Sequence, residues 1–285
     1  MIGMGQAAVK SIQPFPDLNI ESPPELASIR RRLESIAPDQ FADIAKLLGV
    51  RDSGPPIQVQ LMRENSELAR GVAPWISGFA IGDSNLVVIF PARSPGYPDH
   101  TIEDVLRHEV AHVLIWRAAA GRPVPRWFNE GVAMAVERDR QFQDETQLLY
   151  QLVTGGRTDM DAIDRLFSGS QSDQIRAYAL AGAFVHEMVR RDGPPVIQEI
   201  LERVSRGSTF DSAFANATGQ TLANAQIEFW RGQRIWTSWV PILTSSTLLW
   251  STITILALLA FYMRRRRNRE LEKQWEEDGE SDKED

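Results

Sequence analysis

The sequence predicts an α+β fold: a small N-terminal mixed sheet packed on one long helix, then a helical subdomain, then one transmembrane helix. Three observations predict it. Strand-like alternation is confined to residues 57–90. After Pro98 the chain turns helical and largely stays so. Finally, the run WVPILTSSTLLWSTITILALLAFYM, Trp239 to Met263, holds no charged residue. The whole chain, 285 residues with 43% hydrophobic and 24% charged, is long enough for one sizeable core or two small ones.

Residues 1–22 read as a flexible leader. Ser22 before Pro23 and Pro24 opens a helix over Glu25–Ile36, and Pro38–Leu48 reads as a second, closed by Gly49. IQVQLMRE, 57–64, alternates like a strand. GFAIG and NLVVIFP, with Asp83-Ser84 between them, read as a hairpin or two neighbouring strands. Thr101 with Asp104 makes a capping box for a helix running through His108 and His112 to Ala120, stopped by Gly121 and Pro123. Further helices are predicted at Glu130–Glu137, Thr146–Val153, Met160–Phe167, Asp173–Arg191, Val196–Val204, Phe210–Ala217 and Leu222–Gln233. No internal repeat is visible.

A helix over Trp239–Met263 would reach roughly 37 Å, enough to cross a hydrocarbon core of about 30 Å with some tilt. Trp236, Trp239 and Tyr262 fall where interfacial aromatics belong. Arg264 to Arg267, with Arg269 and Lys273, outnumber Arg231 and Arg234 on the other flank. This charge bias places the tail 264–285 in the cytoplasm and the domain at 23–235 outside. An outside domain ahead of its only anchor calls for a signal peptide, and MIGMGQAAVKSIQPFPDLNI has no apolar core. The favoured expectation is a signal upstream of this sequence; the alternative is the inverse orientation, with the anchor inserted as a C-terminal tail. The tail switches from basic to acidic, which reads as a solvated segment whose basic end lies against anionic headgroups.

The net charge of −7 argues against nucleic acid as a partner. With no cysteine, disulfides, thiolate metal sites and a cysteine nucleophile are excluded. There are four histidines: His100, His108, His112 and His186. Two of them lie in HEVAH, at i and i+4, where a helix projects both from one face towards a single metal ion. Glu109 between them is rotated too far to be a comfortable ligand, but it is placed to take a proton from a metal-activated water. Two half-buried histidines on an amphipathic helix would show the same short pattern. A catalytic zinc needs a third protein ligand, and WFNEGVA offers Glu130 at the start of a new helix, with Gly131 allowing helix and metal site to approach closely.

HEVAH (108–112) together with WFNEGVA (127–133) resembles the gluzincin metallopeptidases, most closely the bacterial peptidase MA-like proteins. STFDSAFANATGQTLANAQIEFW (208–230) is similar to a phrase that often ends their domains, and the resemblance spans residues 55–232. It implies a zincin-like fold with His108, His112 and Glu130 holding one Zn2+. It further implies that Glu109 is general base and then acid, and that zinc-activated water attacks a peptide carbonyl of a peptide or protein substrate. Gluzincins usually add a Tyr or His that donates to the oxyanion. Tyr178 is the first candidate and His186 the second, two turns apart on one predicted helix face. His100 is expected to be structural or to line the cleft. In the family fold a strand edge above the active helix pairs with extended substrate, a place for GFAIG or NLVVI.

Two departures matter. No Gly-x-Met-x-Asn phrase of the aminopeptidase branch occurs in residues 50–107, so an endopeptidase is expected. The acidic residue that thermolysin-like relatives place one turn after the glutamate ligand is Met134, leaving Glu137 as a substitute and Asp104 to orient His108. The membrane-anchored zinc peptidase therefore has one rival, a catalytically inactive zincin-like scaffold that binds a protein or cell-envelope partner. A purely structural zinc site fits less well, since such sites are closed by four ligands and favour thiolates.

Overall fold

The computed structural model describes residues 17–36, 39–50, 54–93, 95, 98–135 and 158–243, with 253–256, 258, 260–262 and 264 beyond. The leader residues 1–16, Glu137, the expected helix over Thr146–Val153, much of the apolar run 239–263 and the tail 265–285 lie outside these. Among the described residues no helix is long and apolar enough to cross a membrane. The chain divides into two units, 1–230 and 231–285.

In the first unit, β1 (Leu18–Glu21), β2 (Ile57–Leu61), β3 (Gly78–Ile81) and β4 (Leu86–Ile89) form a mixed sheet in the order β1-β2-β4-β3. β1 and β4 both run parallel to β2, and β3 closes an antiparallel hairpin on β4. Residues 18–21 thus belong to the sheet and not to a flexible leader. Four residues carry too little local signal to mark a strand. What makes one is the ladder with β2, which pairs Leu18 with Ile57 and Ile20 with Val59.

Period-two alternation sorts the sheet's faces. Ile57, Val59 and Leu61 of β2, with Val87 and Ile89 of β4, enter the main core. Val88 and Phe90 turn to the opposite face, where they form a small cluster with Ala69. Ala69 belongs to α3 (Glu67–Gly71), a one-turn helix that the sequence does not announce. Ahead of it, α1 (Ala27–Glu34) and α2 (Asp39–Leu48) make the crossover between β1 and β2.

The main core is completed by α4 (Ile102–Ala118), α5 (Arg126–Ala135), α6 (Met160–Leu166), α7 (Gln171–Asp192), α8 (Pro195–Ser205) and α9 (Phe210–Thr218), with the start of α10 (Leu222–Leu243). The expected capping box is present at α4, where Thr101 and Asp104 exchange side-chain-to-backbone bonds, and α7 carries the same device at Ser170 and Asp173. In the second unit Ile253, Ile255, Leu256, Leu258, Phe261 and Tyr262 are exposed.

Candidate metal centre

α4 is buried along most of its length, and its apolar neighbours Val105, Leu106, Val110, Val113 and Leu114 are almost fully enclosed. They fix the rotation of the helix and so the direction of its polar residues. The one-turn spacing then stacks His108 above His112, with ring centroids 4.8 Å apart. The helix's position along the sheet is held at both ends. Gly78 of β3 lies so close that a Cβ there would stand 2.8 Å from Val105 Cγ1 and 3.2 Å from Glu109 Cγ. At the other end Arg117 donates to the Asn85 side chain in the β3–β4 turn, at 2.8 Å from Nε.

The third residue arrives on α5. This helix begins at Arg126, a turn earlier than expected, so Glu130 sits in its middle. The difference has a physical cause. PVP before Arg126 offers no side-chain cap, and the N-terminal amides are capped from α6. Asp164 accepts from Trp127 N–H at 2.6 Å and from Arg126 N–H at 3.1 Å. Gly131 also has a different role from the one expected. It brings α5 onto α7, since a Cβ there would lie 2.6 Å from the Ala181 carbonyl oxygen and 2.6 Å from Val185 Cγ2. Met134, at the position where the resemblance leads an acid to be expected, packs against Gly182 of α7 and supplies no charge.

The outcome is a three-residue cluster in which His108 and Glu130 are buried and His112 is partly buried. One ligand atom each from His108, His112 and Glu130 lies within 4.8 Å of the others. Glu130 Oε2 is 3.3 Å from both His108 Nε2 and His112 Nε2. Two imidazole nitrogens and one carboxylate oxygen, brought together in this way, are a donor set that fits zinc. The remaining nitrogen of His112 is at hydrogen-bond distance from an oxygen, as with the orienting groups of a metal site, whereas that of His108 only faces a carboxylate beyond that distance. His112 Nδ1 is 3.1 Å from Asn129 Oδ1, and His108 Nδ1 is 3.9 Å from Asp99 Oδ1. Asp104, expected in this orienting role, is occupied in the α4 cap, accepting from Thr101 N–H at 2.8 Å. Sequence reasoning missed Asp99, which stands in an irregular segment with no fixed spacing to His108. Asn129 was visible as the neighbour of Glu130, but its partner was not.

The electrostatics follow from burial. Desolvation pushes the Glu109 carboxyl up to about 7, against the opposing pull of His112 and His108. Desolvation alone would lower both histidines, but the surrounding carboxylates prevail. Asp99 and Glu130 raise His108 to about 10, and Glu130 raises His112. Burial opposes ionisation of Glu130, yet the two imidazoles hold its carboxyl well below the usual range.

Of the two oxyanion candidates, the fold brings one to the centre. The Tyr178 ring on α7 stands 6.2 Å from the His108 ring and 5.1 Å from Phe167. Burial drives its hydroxyl well above its ordinary pKa, with Glu130 and Glu109 adding to the effect, so it remains a proton donor. His186, two turns on, is exposed. His100 is exposed beside the α4 cap, its N–H 3.4 Å from Asp104 Oδ2. Of the two strands considered for substrate pairing, β4 (in NLVVI) is interior to the sheet, and β3 (in GFAIG) is at its edge.

The Peptidase MA superfamily matches residues 36–234, which contain all of these groups. The chain belongs to that superfamily. No curated protein matches it. Membership and geometry agree on a peptidase fold of α+β type with a His/His/Glu cluster at its centre.

Proposed function

We propose that this chain is a zinc-dependent endopeptidase of gluzincin type, anchored in a membrane through residues 239–263 with its folded domain outside the cytoplasm. The observation that carries the enzymatic reading is the convergence of His108, His112 and Glu130 beside a buried Glu109. Zinc bound there would supply Lewis acidity to a peptide carbonyl and would acidify water.

The chain's own groups do the rest. Glu109 receives the proton of the attacking water on a carboxylate oxygen and returns it to the departing amine. Tyr178 donates its hydroxyl proton in a hydrogen bond to the carbonyl oxygen as that oxygen gains charge. The outer edge of β3 offers backbone amides and carbonyls to an extended substrate, a reading supported by the close approach of Gly78 to Glu109. The uncharged run 239–263, the arginines after it and the exposed apolar side chains at 253–262 support the anchor.

The test is cleavage of a diverse peptide mixture by the zinc-loaded chain beside a folded, zinc-loaded Glu109→Gln variant. Cleavage by the wild type with a loss of about 10²–10⁴ in the variant is the expected result. Zinc binding without cleavage by either would favour the scaffold reading, for which Met134 in place of an acid is the supporting observation.

A further inference from the structure

Glu130 has two carboxylate oxygens, and the histidines account for only one. Oε2 faces both imidazoles, while Oε1 lies 3.4 Å from Arg126 Nε, one turn earlier on α5. An i,i+4 pair on a solvated helix face would be unremarked, because such pairs contribute little. This pair differs at both ends. The acceptor side chain is only 9% exposed, and the donor, though 46% exposed, is held in place. The Arg126 guanidinium carbon sits 4.8 Å from the Phe167 ring centroid, a cation–π contact. Its backbone N–H donates to Asp164. Asp164 in α6 and Phe167 just after it thus fix the main chain and the side chain of the same arginine.

Resting on the metal-centre reading above, we propose that Arg126 is a positioning residue for Glu130, engaging Oε1 so that Oε2 alone is presented to the metal. A carboxylate with one oxygen engaged by a guanidinium is a one-oxygen ligand. Released, it can rotate to offer both oxygens and raise the coordination number. The arginine therefore sets the geometry and affinity of the centre without touching metal or substrate. Such outer partners alter metal affinity by about 10- to 100-fold.

The test uses Co2+ as probe on the full chain, comparing wild type, Arg126→Met and Arg126→Lys. Methionine keeps an unbranched stem against Phe167 and removes the charge; lysine keeps the charge without the planar fork. Affinity is read by chelator competition, geometry by the visible absorption of bound cobalt, and structural effects by the Tm of the metal-free chain. Arg126→Met is expected to weaken cobalt binding about 10- to 100-fold. Its visible band should become weaker, as coordination beyond four produces, while the metal-free Tm stays at the wild-type value. Arg126→Lys should recover part of the affinity. Wild-type affinity and spectrum in Arg126→Met would overturn the proposal, as would a fall in metal-free Tm that tracks the loss of affinity. A wild type that binds no cobalt would overturn the metal-centre reading itself, a separate failure.

Discussion

The two halves of the candidate metal centre are built by different means. On α4 the histidines are one helical turn apart, so forming the helix is enough to bring them together, and local features do that: the Thr101–Asp104 capping box and a buried apolar back. The helix that carries Glu130, α5, is placed by other helices. It is capped by Asp164 of α6 and seated on α7 through Gly131, and the outer oxygen of Glu130 is held by Arg126. Glu109, the proposed acid–base residue, therefore travels with the local half, while Glu130 and the Tyr178 hydroxyl depend on long-range packing. Damage to the helical half should separate metal affinity from the integrity of α4.

The largest effect expected from the helical half is on turnover. Tyr178→Phe deletes the hydroxyl and little else, and should lower kcat by about 10²–10³ with zinc binding retained. Steady-state kinetics beside His186→Phe checks this, because the exposed His186 should tolerate the change. Equal losses in the two variants would show that α7 supports the site without supplying a donor.

Gly131→Val comes next. The added side chain meets the Ala181 carbonyl, which is backbone and cannot swing aside. Overpacking of this kind costs about 1–3 kcal/mol. Thermal unfolding should show the loss, and a zinc titration should weaken with it as Glu130 is displaced. An unchanged zinc affinity in a destabilised protein would mean that the α5–α7 contact does not position the ligand.

Asn129→Ala and Asp99→Ala sharpen the comparison by acting on one histidine each. Each should weaken zinc by about 10- to 100-fold in chelator competition. If Asp99→Ala leaves the affinity untouched, the 3.9 Å gap to His108 is not closed when metal binds.

The smallest effect is a proton count. His108 is raised to about 10, so near pH 7 zinc is expected to displace a proton from it, and the upward shift of His112 acts in the same direction. Calorimetry in buffers of different ionisation enthalpy should show proton release, and affinity should fall as pH is lowered. The metal-free chain should respond in the opposite sense. A His108 raised above its unfolded value of 6.5 stabilises fully below that pH, and the contribution is lost as pH climbs towards about 10. Zinc binding without proton release would show that the imidazoles are neutral in the metal-free protein.

Much of this was legible in the sequence, unevenly. The β3–β4 hairpin, α2, α4 and most later helices follow from alternation, helical spacing and caps within a few residues of the groups they serve. β1 and α3 did not, because strand pairing and the small cluster around Val88 and Phe90 define them. For the site, HEVAH and WFNEGVA indicated the three residues that the fold brings together, His108, His112 and Glu130, and Glu109 beside them. Asp99 near His108 and Arg126 beside Glu130 were not marked. The Asp99 contact depends on an irregular segment returning to α4, and the Arg126 contact depends on which way a long side chain turns.

What the sequence by itself determined is the register of groups along single helices: His108, Glu109 and His112 on one turn, Glu130 next to Asn129, and Tyr178 two turns before His186. Helical periodicity is a property of neighbours, so spacing suffices. Only the tertiary structure decided which of these meet: Tyr178 and not His186, β3 and not β4 at the sheet edge, Asp99 and not Asp104 beside His108. Those choices depend on how helices rotate and settle on one another. Close approaches such as Gly131 on Ala181 and Gly78 on Val105 set that, and no local spacing encodes them.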